Sequence, residues 1–315
     1  MLDLRGSWLG FSVSFCSLEK FCFKLEFLFD WMRIYLGFTV VFISLMVWGY
    51  RFSYLSHDFR LIRFLIVLLT FISRIICLAL ASSWVSLFLG WEGLGFRRFF
   101  LVAYYNSWVA SRGRFITAYI NRVGDYSLLV CLALARGAGN RSILCNSSDS
   151  RSFLLGLSLL MLISLSCKRA QFPFIAWLPA AIAAPTPVSA LVHSSTLVAA
   201  GVYLGIRRFR VMTPLVLLML GALSSWRSVL SSLRALFCID GKKVIALSTL
   251  SQISIVGIVL SLGLPSLALF HLLTHAFVKS YLFVSLGLVL HSSNGAQDFR
   301  SLGVGRSPVR TLHLV

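Results

Sequence analysis

Long apolar runs separated by short polar joints dominate this chain. The runs cover residues 34–48, 61–89 with a continuation to 105, 115–135, 153–166, 188–206, 214–237, 244–262 and 267–290. None alternates with period two, as a barrel strand would, so each predicts a helix. At ~20 residues per crossing the pattern predicts about nine spans, with 61–105 holding the end of one and the start of the next. Residues 50–60, 136–151 and 292–315 are polar and read as loops or a tail. Residues 1–29 are mixed, and the apolar patch at 11–15 is too short to span. Between 168 and 187 the pattern changes. Pro173, Pro179, Pro185 and Pro187 interrupt an otherwise apolar stretch. Proline lacks the amide hydrogen and clashes with the preceding turn, so this stretch predicts a discontinuous helix.

Composition fixes the class. The chain is 58% hydrophobic and 12% charged, with mean hydropathy +0.87. Soluble domains carry about 25% charged residues, so the prediction is an all-α polytopic membrane bundle, a single integral domain over 1–315. Net charge is +19, with only 10 acidic residues. The arginines lie among apolar runs rather than on a polar face, which excludes a nucleic-acid footprint. The plain reading of the excess is Lys/Arg bias in loops on one side of a bilayer. The seven cysteines stand singly, without metal spacing, and read as small apolar fillers. Asn140 and Asn146 head weak glycosylation sequons. No cleavable targeting peptide is legible, because Glu19, Lys20, Lys24 and Glu26 follow the first apolar patch.

Ionisable residues inside apolar runs are costly and mark pathways. Glu92 sits in Gly90-Trp91-Glu92-Gly93-Leu94-Gly95, where the glycines permit close helix approach. Lys168 precedes the proline break, as expected of an ion-pathway residue at a broken helix. A Glu–Lys pair there would act as a switch, the lysine releasing its proton when its partner is neutralised. The plainer alternatives are a headgroup glutamate and a snorkelling lysine. His193 stands beside Ser194 and Ser195 and is either a proton relay or a structural histidine. Ser194 lacks a nucleophile elbow. His271, His275 and Lys279 recur every fourth residue, on one helix face. Leu272-Leu273 replaces the glutamate step of a zinc motif, so the stripe predicts a hydrated path instead. Asp240-Gly241-Lys242-Lys243 reads as interfacial, and Gly201 with Gly205 as a packing pair.

Taken in order, seven motifs resemble one family. They are Gly90 to Gly95; Asn121-Arg122-Val123-Gly124-Asp125; Lys168 to Gln171 with Phe172-Pro173 and Trp177-Leu178-Pro179; Ala184-Pro185-Thr186-Pro187; His193-Ser194-Ser195-Thr196; Asp240 with Lys242-Lys243 and Ser248 to Gln252; and Thr274-His275-Ala276-Phe277 with Lys279. Over residues 30–300 the chain is similar to the NADH-ubiquinone oxidoreductase chain 5 family, antiporter-like membrane subunits of respiratory complex I. The resemblance implies a multi-pass protein of the mitochondrial inner membrane, built on two inverted repeats, that translocates protons as part of NADH:ubiquinone reductase. It implies Glu92 and Lys168 as the charge pair of the first repeat. His193, His275 and Lys279 would lie on the polar axis, with Asp125 near the side where protons come in. NADH, flavin, iron–sulfur clusters and ubiquinone would be bound by other subunits, with no cofactor or metal here. The partners would be protons, the bilayer and other membrane-arm subunits. The alternative is a subunit of a multi-subunit sodium/proton antiporter; the buried Glu, Lys and His argue against an inert scaffold.

Two departures stand out. The chain stops before the family's second broken helix, its lysine and its lateral helix, so the expectation is a fragment that does not pump alone. Arginine also stands where the family has serine, at Arg169, or small or polar residues, at Arg97 and Arg98. Each arginine at a bilayer centre costs ~2.5–3.5 kcal/mol on insertion scales. Several animal mitochondrial codes read AGA and AGG as serine. The expectation is therefore that Arg33, Arg51, Arg97, Arg98 and Arg169 are serines in the cell.

Overall fold

The computed structural model describes residues 10–18, 21–54, 61–104, 108–137, 151–182, 185–191, 197–293 and 297–300. It opens with an antiparallel hairpin, β1 (Gly10–Leu18) and β2 (Phe21–Leu28), paired from Gly10↔Leu28 to Leu18↔Phe21 with an irregularity between Ser14 and Cys16. This is the one departure from an all-helical reading among the described residues. The local sequence explains it: Ser12-Val13-Ser14 and Phe21, Phe23, Leu25, Phe27 alternate with period two. The apolar patch at 11–15 is therefore part of a strand.

Five long helices follow: α1 (Trp31–Tyr54), α2 (Leu61–Leu80), α3 (Trp84–Val102), α4 (Trp108–Gly137) and α5 (Arg151–Lys168). The continuous run over 61–89 is divided at Ser82-Ser83. Ser83 takes extended backbone angles and its hydroxyl accepts from the Ser86 amide at 3.2 Å, an N-cap that restarts the helix. The hairpin docks at this joint, where the Ser82 amide donates to the Glu26 carbonyl.

The expected break is present. A 3-10 turn (Phe174–Ala176), α6 (Trp177–Ala181) and α7 (Thr186–Ser189) replace continuous helix. Of the span expected over 188–206, the described helix α8 (Leu197–Arg207) carries the later half. The bundle then closes with α9 (Pro214–Leu236), α10 (Gly241–Ser261) and α11 (Pro265–Ser292). Proline at the first turn of α9 and α11 occupies a position whose amide has no intrahelical acceptor.

Successive helices α2 to α5 pack side by side, as do α9 to α11, and α1 packs against both α2 and α11. Large apolar side chains cover the outside: Phe38, Leu45, Ile62, Leu218 and Phe270 are all more than 60% exposed, as lipid-facing positions require. Among the described residues five helices are long and apolar enough to cross a membrane: Trp31–Arg51, Leu61–Leu80, Pro214–Leu236, Gly241–Ser261 and Pro265–His291. The other expected crossings fall on α3, α4, α5 and the broken stretch, which are shorter or carry several charges.

Candidate functional site

The site is built where α5 stops. Its last turn ends in a Schellman arrangement: the Gln171 amide donates to the Ser166 carbonyl at 2.9 Å and the Ala170 amide to the Cys167 carbonyl at 3.4 Å. Ala170 takes the left-handed position, at φ 52°. This leaves Lys168 in the final turn, buried, at the edge of the break.

Helix α4 closes on α5 through a glycine. A Cβ added at Gly124 would lie 2.8 Å from the Cys167 Cβ, so only glycine allows this approach. The next residue, Asp125, is thereby brought to Lys168. Its Oδ1 lies 3.1 Å from Lys168 Nζ, and both side chains are buried. Helix α3 completes the enclosure. Trp91 Nε1 donates to Asp125 Oδ1 at 2.9 Å, and Lys168 Nζ lies 4.9 Å from the centre of the same indole. One turn further on, a Cβ at Gly95 would lie 3.6 Å from Lys168 Nζ, so the missing side chain leaves room for the ammonium.

Glu92 does not pair with Lys168. Trp91 and Gly95, one turn apart, share the face of α3 that meets Asp125 and Lys168. Glu92 is rotated about 100° from Trp91 and leaves that face. It meets Arg122 instead, with Arg122 Nη1 2.7 Å from Glu92 Oε1 and 3.8 Å from Asp125 Oδ2. The pair expected between Glu92 and Lys168 is thus a chain of four charges, Glu92–Arg122–Asp125–Lys168. Its Glu92–Arg122 end is 41–45% exposed and its Asp125–Lys168 end is buried. Asp125 is the direct partner of the lysine and sits near the middle of α4. The sequence reading passed over Arg122 and Trp91; the i, i+3 spacing of Arg122 and Asp125 was the available signal.

On α11, His275 and Lys279 are buried on one face as their spacing predicts, and His271 is half-buried. Lys279 Nζ donates to Ser248 Oγ of α10 at 2.6 Å. Both ring nitrogens of His275 are buried without a hydrogen-bond partner in the structure. Among the described residues no three His, Cys, Asp or Glu side chains gather as a metal site would require. His193 lies outside the described residues. A cavity of about 560 Å³ lies elsewhere, between Tyr54, Arg112, Pro179, Lys242 and Lys243. Gly201 and Gly205 pack as expected, against Lys168–Arg169 and against Leu165 and Leu260.

Among the described residues the other buried arginines near the site form no ion pair. Arg98 is buried, lies over the Trp177 ring at 4.5 Å and donates to the Thr117 carbonyl at 3.2 Å. Arg169 and Arg227 are fully buried side by side behind the break. Arg33 differs: it reaches Asp30 at 3.4 Å and the Leu28 carbonyl at 2.7 Å.

Residues 81–313 match the family profile described as NADH:quinone oxidoreductase/Mrp antiporter, TM. Proteins named NADH-ubiquinone oxidoreductase chain 5 are similar across most of the chain. The one from Aedes aegypti is 40% identical over 91% of this chain and 50% of its own length. The one from Anopheles arabiensis is 39% identical over 91% and 76%, and that from Mytilus edulis 41% over 89% and 49%. The chain therefore spans about half the length of most of these curated relatives. Among solved structures, an Mrp complex from Dietzia sp. superposes with TM-score 0.82 at 27% identity, over 91% of this chain and 32% of that one. An archaeal membrane-bound sulfane sulfur reductase shares the fold at TM-score 0.85 and 21% identity, over 92% and 62%.

Proposed function

The chain belongs to the NADH:quinone oxidoreductase/Mrp antiporter transmembrane family, and we propose from that premise that it is the proton-translocating part of a complex I membrane subunit. In this reading it lies in the mitochondrial inner membrane beside other membrane-arm subunits. It moves protons while electrons pass from NADH to ubiquinone in other subunits, which hold the flavin and iron–sulfur centres. The names of the relatives at 39–41% identity favour this over a sodium/proton antiporter subunit, for which the Mrp likeness at 27% speaks.

The observation that carries the reading is the buried Asp125–Lys168 pair at the end of a broken helix, joined through Arg122 to the exposed Glu92. In a low-dielectric site the lysine keeps its proton only while a carboxylate faces it. Arg122 stands between two carboxylates and now leans on Glu92. When Glu92 takes up a proton, Arg122 is free to move onto Asp125. Asp125 is then shared, its hold on Lys168 weakens, and Lys168 releases its proton, for which the polar face of α11 with His275 and Lys279 is the candidate acceptor. Gly95 leaves Lys168 room to swing.

The test is Lys168→Met in the full-length subunit within its complex, reconstituted into vesicles. The expected result is normal assembly with loss of NADH-driven lumenal acidification. Undiminished acidification by an assembled Lys168→Met complex overturns the reading. Purification without flavin- and iron–sulfur-containing subunits, together with sodium-driven proton movement, favours the antiporter instead.

A further inference from the structure

We infer that positions 98, 169 and 227, read as arginine, carry serine in the mature protein. All three side chains are at most 1% exposed, and no carboxylate lies within ion-pair distance of any of them among the described residues. Two nitrogens of each guanidinium are buried with no hydrogen-bond partner: Nε and Nη1 of Arg98, Nε and Nη1 of Arg169, Nε and Nη2 of Arg227. A buried cation is tolerated when it is paired and its donors are satisfied, and neither condition holds here.

Arg169 reaches α10 through one nitrogen, its Nη2 donating to the Ile253 carbonyl at 3.4 Å. The chief partner of Arg227 is the backbone carbonyl of Arg169, so one buried cation rests on the residue of another.

A serine removes each difficulty. Its hydroxyl can donate to a carbonyl three or four residues back, and this chain does so at Ser164, Ser166, Ser225, Ser228 and Ser231, close to 169 and 227 in sequence. Position 227 already lies within Ser224-Ser225-Trp226 and Ser228. The codons AGA and AGG specify serine in several animal mitochondrial codes, so a standard-code reading yields arginine at such positions without any change in the gene. Arg122, bonded to Glu92, is not among them.

The functional corollary rests on the reading of Lys168 as a switch. With serine at 98 and 169, two buried cations are removed from the neighbourhood of the Asp125–Lys168 pair. Arg122 is then the one further cation beside the pair among the described residues, so its position between Glu92 and Asp125 sets the charge that Lys168 meets.

The experiment is mass spectrometry of the native subunit from the purified complex, digested with trypsin and in parallel with chymotrypsin, beside the codons of its gene. Expected are AGA or AGG at 98, 169 and 227, serine in the chymotryptic peptides, no tryptic cleavage at those positions, and tryptic cleavage after Arg122 in the same digest. Arginine in the protein, or a CGN codon, at any of the three overturns the inference. Loss of pumping in Lys168→Met is a separate outcome and bears only on the corollary.

Discussion

Asp125 and Glu92 carry the same charge in different surroundings, and that difference governs what each substitution does. Asp125 is buried against Lys168, and removing one partner of such a pair leaves the other charge uncompensated, at ~3–5 kcal/mol. Glu92 meets Arg122 where both are about half exposed, and such pairs contribute ~0.2–1 kcal/mol. Asp125→Asn is therefore expected to lower the thermal stability of the assembled complex clearly and to abolish pumping. Glu92→Gln should leave stability nearly unchanged while slowing pumping, because it removes the group that holds Arg122 away from Asp125. Thermal denaturation beside a lumenal-acidification assay reads both effects. Equal destabilisation by the two changes would contradict the four-charge arrangement. Of the expected site residues, the sequence placed Lys168, His275 and Lys279 in buried positions correctly. It mispaired Glu92, since which face of α3 meets α4 depends on the rotation of one helix against another.

Helix approach, more than any single charge, positions the pair. Gly124 lets α4 reach the Cys167 side of α5, and a Cβ there would have to displace α5. Gly124→Leu is expected to part the two helices and break the Asp125–Lys168 contact; overpacking of this kind costs ~1–3 kcal/mol. Assembly and pumping should then fall together, whereas Gly156→Leu, at a position where an added Cβ meets nothing within 4 Å, should spare both. The α9–α10 joint supplies a pH-dependent contact through Asp240, which precedes α10. Lys243 bonds Asp240 and holds its carboxyl below the usual carboxylate range. A depressed folded-state pKa means the contact stabilises above the unfolded carboxylate pKa, near 4, and is lost as pH falls through the folded value. Asp240→Asn should flatten the loss of thermal stability on the acid side, and an unchanged acid limb would count against this role. The prolines made the break at 168–187 legible. The left-handed turn at Ala170 that ends α5 was not legible, because no residue type there announces it.

Among the described residues many large apolar side chains face outward and many polar ones are buried, with five helices apolar enough to cross a bilayer. It covers about half the length of most curated relatives. If a complete path needs polar groups from the remaining length, this stretch alone in vesicles should give no coupled proton movement, even with the other subunits present. Redox-driven acidification by the 315-residue chain would refute that dependence.

Apolar runs of span length, too few charges for a soluble domain and four prolines between 168 and 187 determined a helical membrane bundle with a break after Lys168. These follow from local chemistry: bilayer thickness sets run length, and proline interrupts a helix anywhere beyond its first turn. The structure alone decided which carboxylate faces Lys168, that Arg122 links Asp125 to Glu92, and which arginines lie buried without an acid. It also placed a hairpin in a stretch too short to span. Those outcomes depend on how helices rotate and how closely glycines let them approach, and both are set by contacts between residues far apart in the chain.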